Sequence, residues 1–459
     1  MMIELKGKYN SAKVFTDNID NETVGQLITL LNQEFTKDNT IRIMPDTHAG
    51  KGCVIGTTMT INNKIVPNLV GVDIGCGMLA IKLKEKEIDY KKLDEVITKY
   101  VPSGCNVHKE VKNTYSELED IIAPINIDNA NKSIGTLGGG NHFIEVDKDK
   151  DNNLWLVIHT GSRHLGIEIC DYYQNLAYER LKEKNIGGNF KDLSKRLITE
   201  YKKAGKEKEI SKALQILKNK FDNTMPSVSK ELAYLEGQDM KDYLHDMKIA
   251  QEYAKRNRCA IASEIIEHMN LTIAHSFNTT HNYIDLKVMI LRKGAISALK
   301  GEEVIIPMNM RDGSLICIGK GNPDWNYSAP HGAGRILSRS KAKDVINLKD
   351  FEDSMKGIYT TSVALSTIDE SPFVYKPMDE IIENIKDTVE IVNIIKPVYN
   401  FKAKDMHLEG VKKEHVLKQI TGELDGEDKM QLCKAVKQSD LQTKHLTVTK
   451  NKNIYNKEL

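Results

Sequence analysis

The chain lacks an excess of charge of either sign: 65 Lys and Arg stand against 64 Asp and Glu, a net charge of +1. A nucleic-acid partner would therefore have to meet a local basic surface, because the chain is no polycation. No apolar run is long enough to span a membrane. The opening MMIELKGKYN is polar at once, with no signal peptide visible. There is no CxxC pair, and the seven cysteines are odd in number. Together these absences point to a reduced, cytoplasmic chain whose cysteines are free or metal-bound. What is present is length: 459 residues suffice for one large domain or two to three smaller ones.

The chain is organised around GVDIGCGM, Gly71 to Met78, where Asp73 and Cys76 stand among three glycines. The run before it, KIVPNLV, is apolar and β-branched, which predicts a buried strand ending in a Gly-rich turn. A carboxylate and a thiolate on open backbone suit a metal; an ordinary tight turn with a buried Cys fits the octapeptide equally well. Upstream, Asn21 to Phe35 has the apolar spacing of a helix. From Ile41, IRIMPDTHAGKGCVIGTTMTI reads as strand, turn and strand, with Asp46 and His48 on the turn. Such a DxH turn suits a metal, a phosphate, or turn chemistry alone. Lys84 to Val101 reads as a charged surface helix.

The stretch SIGTLGGGNHFIEV, Ser133 to Val146, sets Asn141 and His142 behind three glycines and resumes a strand that carries Glu145. Such a run turns backbone N–H groups toward an anion. It is not a P-loop, because no GKS or GKT follows. LWLVIHTGSRHLG then delivers His159 at a strand end, followed by Gly161, Ser162 and Arg163. The same order of strand end, ligand-type side chain, glycine and polar group recurs three times. That is the pattern of one site assembled by a sheet, although a single His in any of them suits a structural role.

From Ile167 to about Asn270 the sequence turns charged and Leu-rich with helical spacing, a helical insertion or layer. Its Lys-rich face is most simply solvated, with a nucleic-acid surface as the other reading. Asn257 and Arg258 end a long helix within reach of the site, and His275 reads as structural. His281 and Asn282 resemble the Asn-His pair at 141–142 and precede Arg292, Lys293 and Gly294. Ser314 lies between a turn and the strand LICIG. Finally, SAPHGAGR sets His331 in a small-residue turn, followed by Arg335, Arg339 and Lys341. A nucleophile acting on phosphorus needs open backbone and cations to hold phosphate; a metal ligand there would need partners nearby in space.

Taken in order, GVDIGCGM, LGGGNHFIE, HTGSR, HN followed by RKGA, and HGAGR resemble the RtcB family of RNA-splicing ligases, from about Met44 to Ala403. The resemblance implies a single α+β domain with a central mixed sheet around two metals. It implies an enzyme that joins an RNA 3′-phosphate or 2′,3′-cyclic phosphate to a 5′-hydroxyl, using GTP and Mn²⁺. By position, Asp73, Cys76, His142, His159 and His281 would be the ligands of two Mn²⁺, with Cys76 bridging, and His331 the histidine that becomes guanylylated. Asn141 and Asn282 would touch the nucleotide phosphates. Glu145, Ser314, Tyr375 in VYKPMDE and Lys402 in NFKA would hold the guanine end, and Arg163 an RNA phosphate.

The sequence departs from the family pattern in three places. His164 follows Arg163 where a small residue is usual, and Leu291 stands where a histidine is common. The family usually ends near FKA, whereas residues 404–459 continue here, rich in Lys and Glu with helical fragments EHVLKQI and MQLCKAV. The resulting plan is a catalytic domain over 1–403, with the helical insertion at about 167–270, and a charged helical extension over 404–459. That extension reads as an appendage outside the nucleotide site, or as a module for RNA or a partner. A metal-dependent phosphatase or cyclic phosphodiesterase acting on RNA ends remains the alternative function. His331 discriminates the two, since a hydrolase has no use for it. An RNA-binding factor with a retired site is disfavoured, because every motif residue is present.

Overall fold

Leu154–Thr160 is buried at all seven positions, which explains the unbroken apolar run of its first five residues, LWLVI. One face of its sheet meets the helix Gly237–Met269, where Ile261, Ala262 and Ile265 pack on Leu79, Ile81, Leu156 and Ile158. The other face turns Met78, Trp155 and Val157 toward Ile305, Ile316 and Ile395, which belong to distant strands of the same sheet. In this computed structural model, which describes residues 2–50, 52–226 and 228–403, the sheet therefore curls over on itself. Its strand order is Ile273–Thr280, Gly77–Leu83, Leu154–Thr160, Phe143–Lys148, Val389–Phe401, Gly313–Gly319 and Glu303–Asn309. The two end strands meet where the Ile305 amide donates to Thr279 Oγ1 at 3.1 Å. Neighbours are antiparallel, except that Tyr359–Thr360 runs parallel to Val389–Phe401, so the sheet is mixed.

A second mixed sheet orders Ile3–Lys6, Ser11–Val14, Ile41–His48, Ile55–Thr60, Ile290–Lys293 and Tyr283–Asp285. Residues Met1–Lys404 pack as one unit. Helices run Arg163–Ile186, Phe190–Lys203, Ile210–Asn223 and Gly237–Met269. The first and last bury long faces against the core; of the middle pair only Ala213 is buried, so their Lys-rich faces are solvated. Among the described residues no helix is long and apolar enough to cross a membrane. The expectations for the extension from residue 404 lie outside the described residues.

Three local expectations need correction. KIVPNLV is not a strand: only Lys64–Ile65 pairs, and Pro67–Leu69 forms a 3₁₀ turn. Pro67 has no N–H to give a ladder, so the strand stops before it, and the next begins only near the end of GVDIGCGM, at Gly77. Asn257 and Arg258 do not end their helix, which runs on to Met269 and closes on Asn270 in the left-handed conformation. The expected helix over 84–101 begins only at Tyr90, capped by Asp89, because Gly77–Leu83 extends the chain up to it.

Candidate active site

Antiparallel pairing explains how residues far apart in sequence reach one end of the central sheet. Cys76 precedes Gly77–Leu83, His142 precedes Phe143–Lys148, His159 lies near the end of Leu154–Thr160, and His281 follows Ile273–Thr280. In the register, Gly77 stands opposite both Thr160 and Thr280, and His159 opposite both Met78 and Phe143. Where one strand starts, its neighbour ends, and all four ligand-type residues gather there.

Cys76 Sγ lies 3.4 Å from His142 Nε2 and 3.3 Å from His159 Nε2. Asp73 Oδ2 lies 3.0 Å from the same His142 Nε2. Two triads place their ligand atoms within 4.8 Å of one another, Asp73–Cys76–His142 and Cys76–His159–His281, and Cys76 belongs to both. The Nδ1 atoms of His142 and His159 face the carbonyls of Leu137 and Asn141, at 2.9 and 3.1 Å. A carbonyl only accepts, so each Nδ1 carries the proton and each Nε2 offers a lone pair inward. Burial pushes His159 and His281 well below the usual histidine range, so both are neutral. His281 Nδ1 is buried without a partner among the described residues. Thiolate, imidazole and carboxylate with an unpartnered buried nitrogen form a donor set that fits a divalent transition metal.

Gly161 has no room for a side chain: a Cβ there would stand 2.1 Å from Asp73 Oδ1, the oxygen that accepts from the Ser162 amide. Gly161→Ala is therefore expected to displace the Asp73 carboxylate and lower bound metal per chain. Metal analysis of the folded variant checks this, and unchanged content would refute it.

His331 stands beside the cluster, its ring centroid 4.8 Å from that of His281. Its Nδ1 lies 2.7 Å from Oδ2 of the fully buried Asp46. The carboxylate fixes the tautomer with hydrogen on Nδ1, which leaves the Nε2 lone pair free. This settles the DxH turn: Asp46 orients His331, while His48 Nδ1 donates to the Asp46 carbonyl at 3.0 Å and burial pushes His48 down to about 4.

A cleft of about 780 Å³ opens from His331 and His159, and Asn141, Glu145, Tyr375 and Lys402 line it. Lys402 Nζ and the Tyr375 hydroxyl both reach Glu370 Oε2, at 2.9 and 2.8 Å, and Arg339 NH1 reaches Oε1 at 2.7 Å. Burial raises the Glu370 carboxyl, but Lys402, Arg339 and Arg335 outweigh it and hold it near 2. Glu370 thus fixes the far end of the cleft. Arg335 and Arg339 are paired with Glu370, and Arg339 also with Asp369. Asn400 Nδ2 donates to Glu145 at 2.6 Å. Ser314 does not line the cleft; it is buried opposite Pro307, its Oγ unpartnered.

The remaining residues brace the site. Asn282, at φ +59°, donates to the Asp73 carbonyl and accepts from the Gly294 amide. Arg163 donates to Thr136 Oγ1 and the Gly104 carbonyl. Asn257 ties residues 135, 136 and 161 together, and Arg258 NH1 bridges the carbonyls of Gly75 and Thr160, so both hold the loops of the cluster. His164 is exposed, 3.9 Å from Glu168, and belongs to neither triad. His275 is likewise exposed, paired with Glu303 at 2.7 Å. Leu291 is fully buried in the larger core cluster, a contribution of about 1.5–3 kcal/mol that an imidazole would not match.

Two triads able to hold metal, with an oriented histidine and a cation-lined cleft beside them, are the arrangement of a metal-dependent enzyme. The chain belongs to the RtcB family: the family model described as tRNA-splicing ligase RtcB matches residues 26–129 and 122–403. It is 30% identical to the RNA-splicing ligase RtcB of Escherichia coli over 404 residues, covering 78% of this chain and 88% of that one. It is 26% identical to the tRNA-splicing ligase RtcB of Aeropyrum pernix, covering 74% and 82%.

Proposed function

We propose that this RtcB-family RNA ligase joins a 3′-phosphate or 2′,3′-cyclic phosphate end to a 5′-hydroxyl end through GMP carried on His331. The observation that carries the reading is the 2.7 Å contact of His331 Nδ1 with buried Asp46, which leaves Nε2 directed to chemistry. A hydrolase would need the metals but not this nucleophile. His331 Nε2 attacks the α-phosphorus of GTP, and pyrophosphate leaves. The RNA 3′-phosphate takes GMP from His331, which regains its lone pair. The 5′-hydroxyl then attacks the activated phosphate, loses its proton, and GMP departs. A cyclic end must first be opened by water to the 3′-phosphate.

Asp73, Cys76 and His142 would hold one Mn²⁺, and Cys76, His159 and His281 a second; bound there, the cations neutralise the triphosphate and make its α-phosphorus more electrophilic. Asn141 and Asn282 would position phosphates, Glu145, Tyr375 and Lys402 the guanine, and Arg163 an RNA phosphate; Ser314, outside the cleft, is left without that role. The catalytic domain is read as 1–403, with the helices over 167–270 inserted and 404–459 appended. Six free cysteines among the described residues, none in a disulfide, suit the cytoplasm.

The test offers the protein two RNA pairs with GTP and Mn²⁺. Ends bearing 3′-phosphate and 5′-hydroxyl should be joined, and ends bearing 3′-hydroxyl and 5′-phosphate should not. Release of inorganic phosphate without joining would favour the hydrolase instead.

A further inference from the structure

The strand that carries Glu145 holds a second buried acid that none of these roles uses. Asp147 is fully buried, and among the described residues neither of its carboxyl oxygens has a hydrogen-bond donor. Its cross-strand neighbours are Trp155 on one side and Pro397 on the other. Residues directly opposite one another share a face. Here that face is apolar, with Phe143, Trp155 and Val157 packed toward Ile305, Ile316 and Ile395. A carboxylate ionised in such surroundings, without donor or cation, would be very costly. A neutral carboxyl instead needs an acceptor for its proton.

Glu145 supplies that acceptor. It lies two residues along, on the same face of the strand, with its carboxyl group in hydrogen-bonding reach of Asp147. Asn400 anchors Glu145 at 2.6 Å, and the Lys402 cation favours its charged form. Among the described residues no cation acts on Asp147, and its one charged neighbour is Glu145. Glu145 lines the cleft and Asp147 does not.

We propose that Asp147 carries a proton that it donates to Glu145, fixing Glu145 as the one carboxylate the cleft offers to the paired N–H donors of a guanine edge. This rests on the reading that Glu145 faces the nucleotide base. Burial raises both acids, Asp147 well above the usual carboxylate range, with the charge of Glu145 as the next cause. The pair thus holds one negative charge between two groups. With the proton on Glu145, the cleft would present a donor to donors and reject the same base. Asp147 is a positioning residue: it acts through Glu145 and touches no ligand.

Two measurements on the full chain test this. In infrared difference spectra at neutral pH, wild type minus Asp147→Asn should show the carbonyl stretch of a protonated carboxyl. Absence of that band would overturn the proposal, whatever the protein binds. The second measurement is the affinity for GMP and for inosine monophosphate, which lacks the 2-amino group. Asp147→Asn keeps an N–H donor and should hold GMP affinity within about threefold, whereas Asp147→Leu should lose about tenfold and most of the preference for GMP. Equal losses in both variants would show that Asp147 is no donor and overturn the proposal. If the band is present but the wild type does not prefer GMP, the assignment of Glu145 to the base fails and the shared proton stands. Should Asp147→Leu not fold, the spectrum and the Asn variant still decide.

Discussion

His331→Ala is expected to abolish the labelled protein adduct formed from GTP, with bound metal close to wild type. The side chain is not in either metal triad, so its loss should spare the ions. Among the described residues no other imidazole is poised to replace it. His281 is its nearest ring partner but belongs to a triad, and His48 is turned by its bond to the Asp46 carbonyl. The adduct itself should be acid-labile, as a phosphorus–nitrogen bond is. A companion variant separates presence of the ring from its orientation. Asp46→Asn can offer an amide N–H to Nδ1, which favours the tautomer with hydrogen on Nε2. That change should slow adduct formation by about 10²–10⁴-fold, the scale seen when an orienting carboxylate is amidated elsewhere. A labelled adduct persisting in His331→Ala would end the assignment.

The cluster of candidate ligands was legible in the sequence because Cys76, His142 and His159 sit at strand ends near glycines, a pattern that survives without knowing the pairing. Register then did what the sequence could not state, setting His159 opposite both Met78 and Phe143. The partners that orient the chemistry were not legible. Asp46 stands 285 residues from His331, and Glu370 lies 32 from Lys402, with no periodicity linking either pair. Glu370 also closes a short 3₁₀ stretch, LSTIDE, whose sequence gives no sign that the carboxylate is buried among cations. The strand before GVDIGCGM failed for a local reason, since Pro67 interrupts an otherwise convincing apolar run. Position 291 is, in the sequence, only a departure from a histidine pattern. In the structure it is a fully buried core position, where leucine adds packing.

Cys76→Ser is expected to lower bound Mn²⁺ from two per chain toward one or none. Cys76 is the ligand atom common to both triads, so a change there acts on both ions at once. Serine is close in size, but its hydroxyl gives up a proton far less readily than a thiol and is a harder donor. Burial, and then the neighbouring Asp73, push the Cys76 thiol well above its usual range. Metal binding must therefore displace that proton, and wild-type affinity should rise with pH below the thiol value, where proton and metal compete. The other ligands do not confuse the count. His159 and His281 are already neutral, because burial pushes both well below the usual histidine range. Asp73 is held below the usual carboxylate range in spite of its burial, and so brings no proton to be displaced. Titrating Mn²⁺ into metal-free protein in weak buffer should then release about one proton fewer in Cys76→Ser than in wild type. Two metals per chain with full ligation in the variant, and an unchanged proton count, would mean that the thiolate does not bridge.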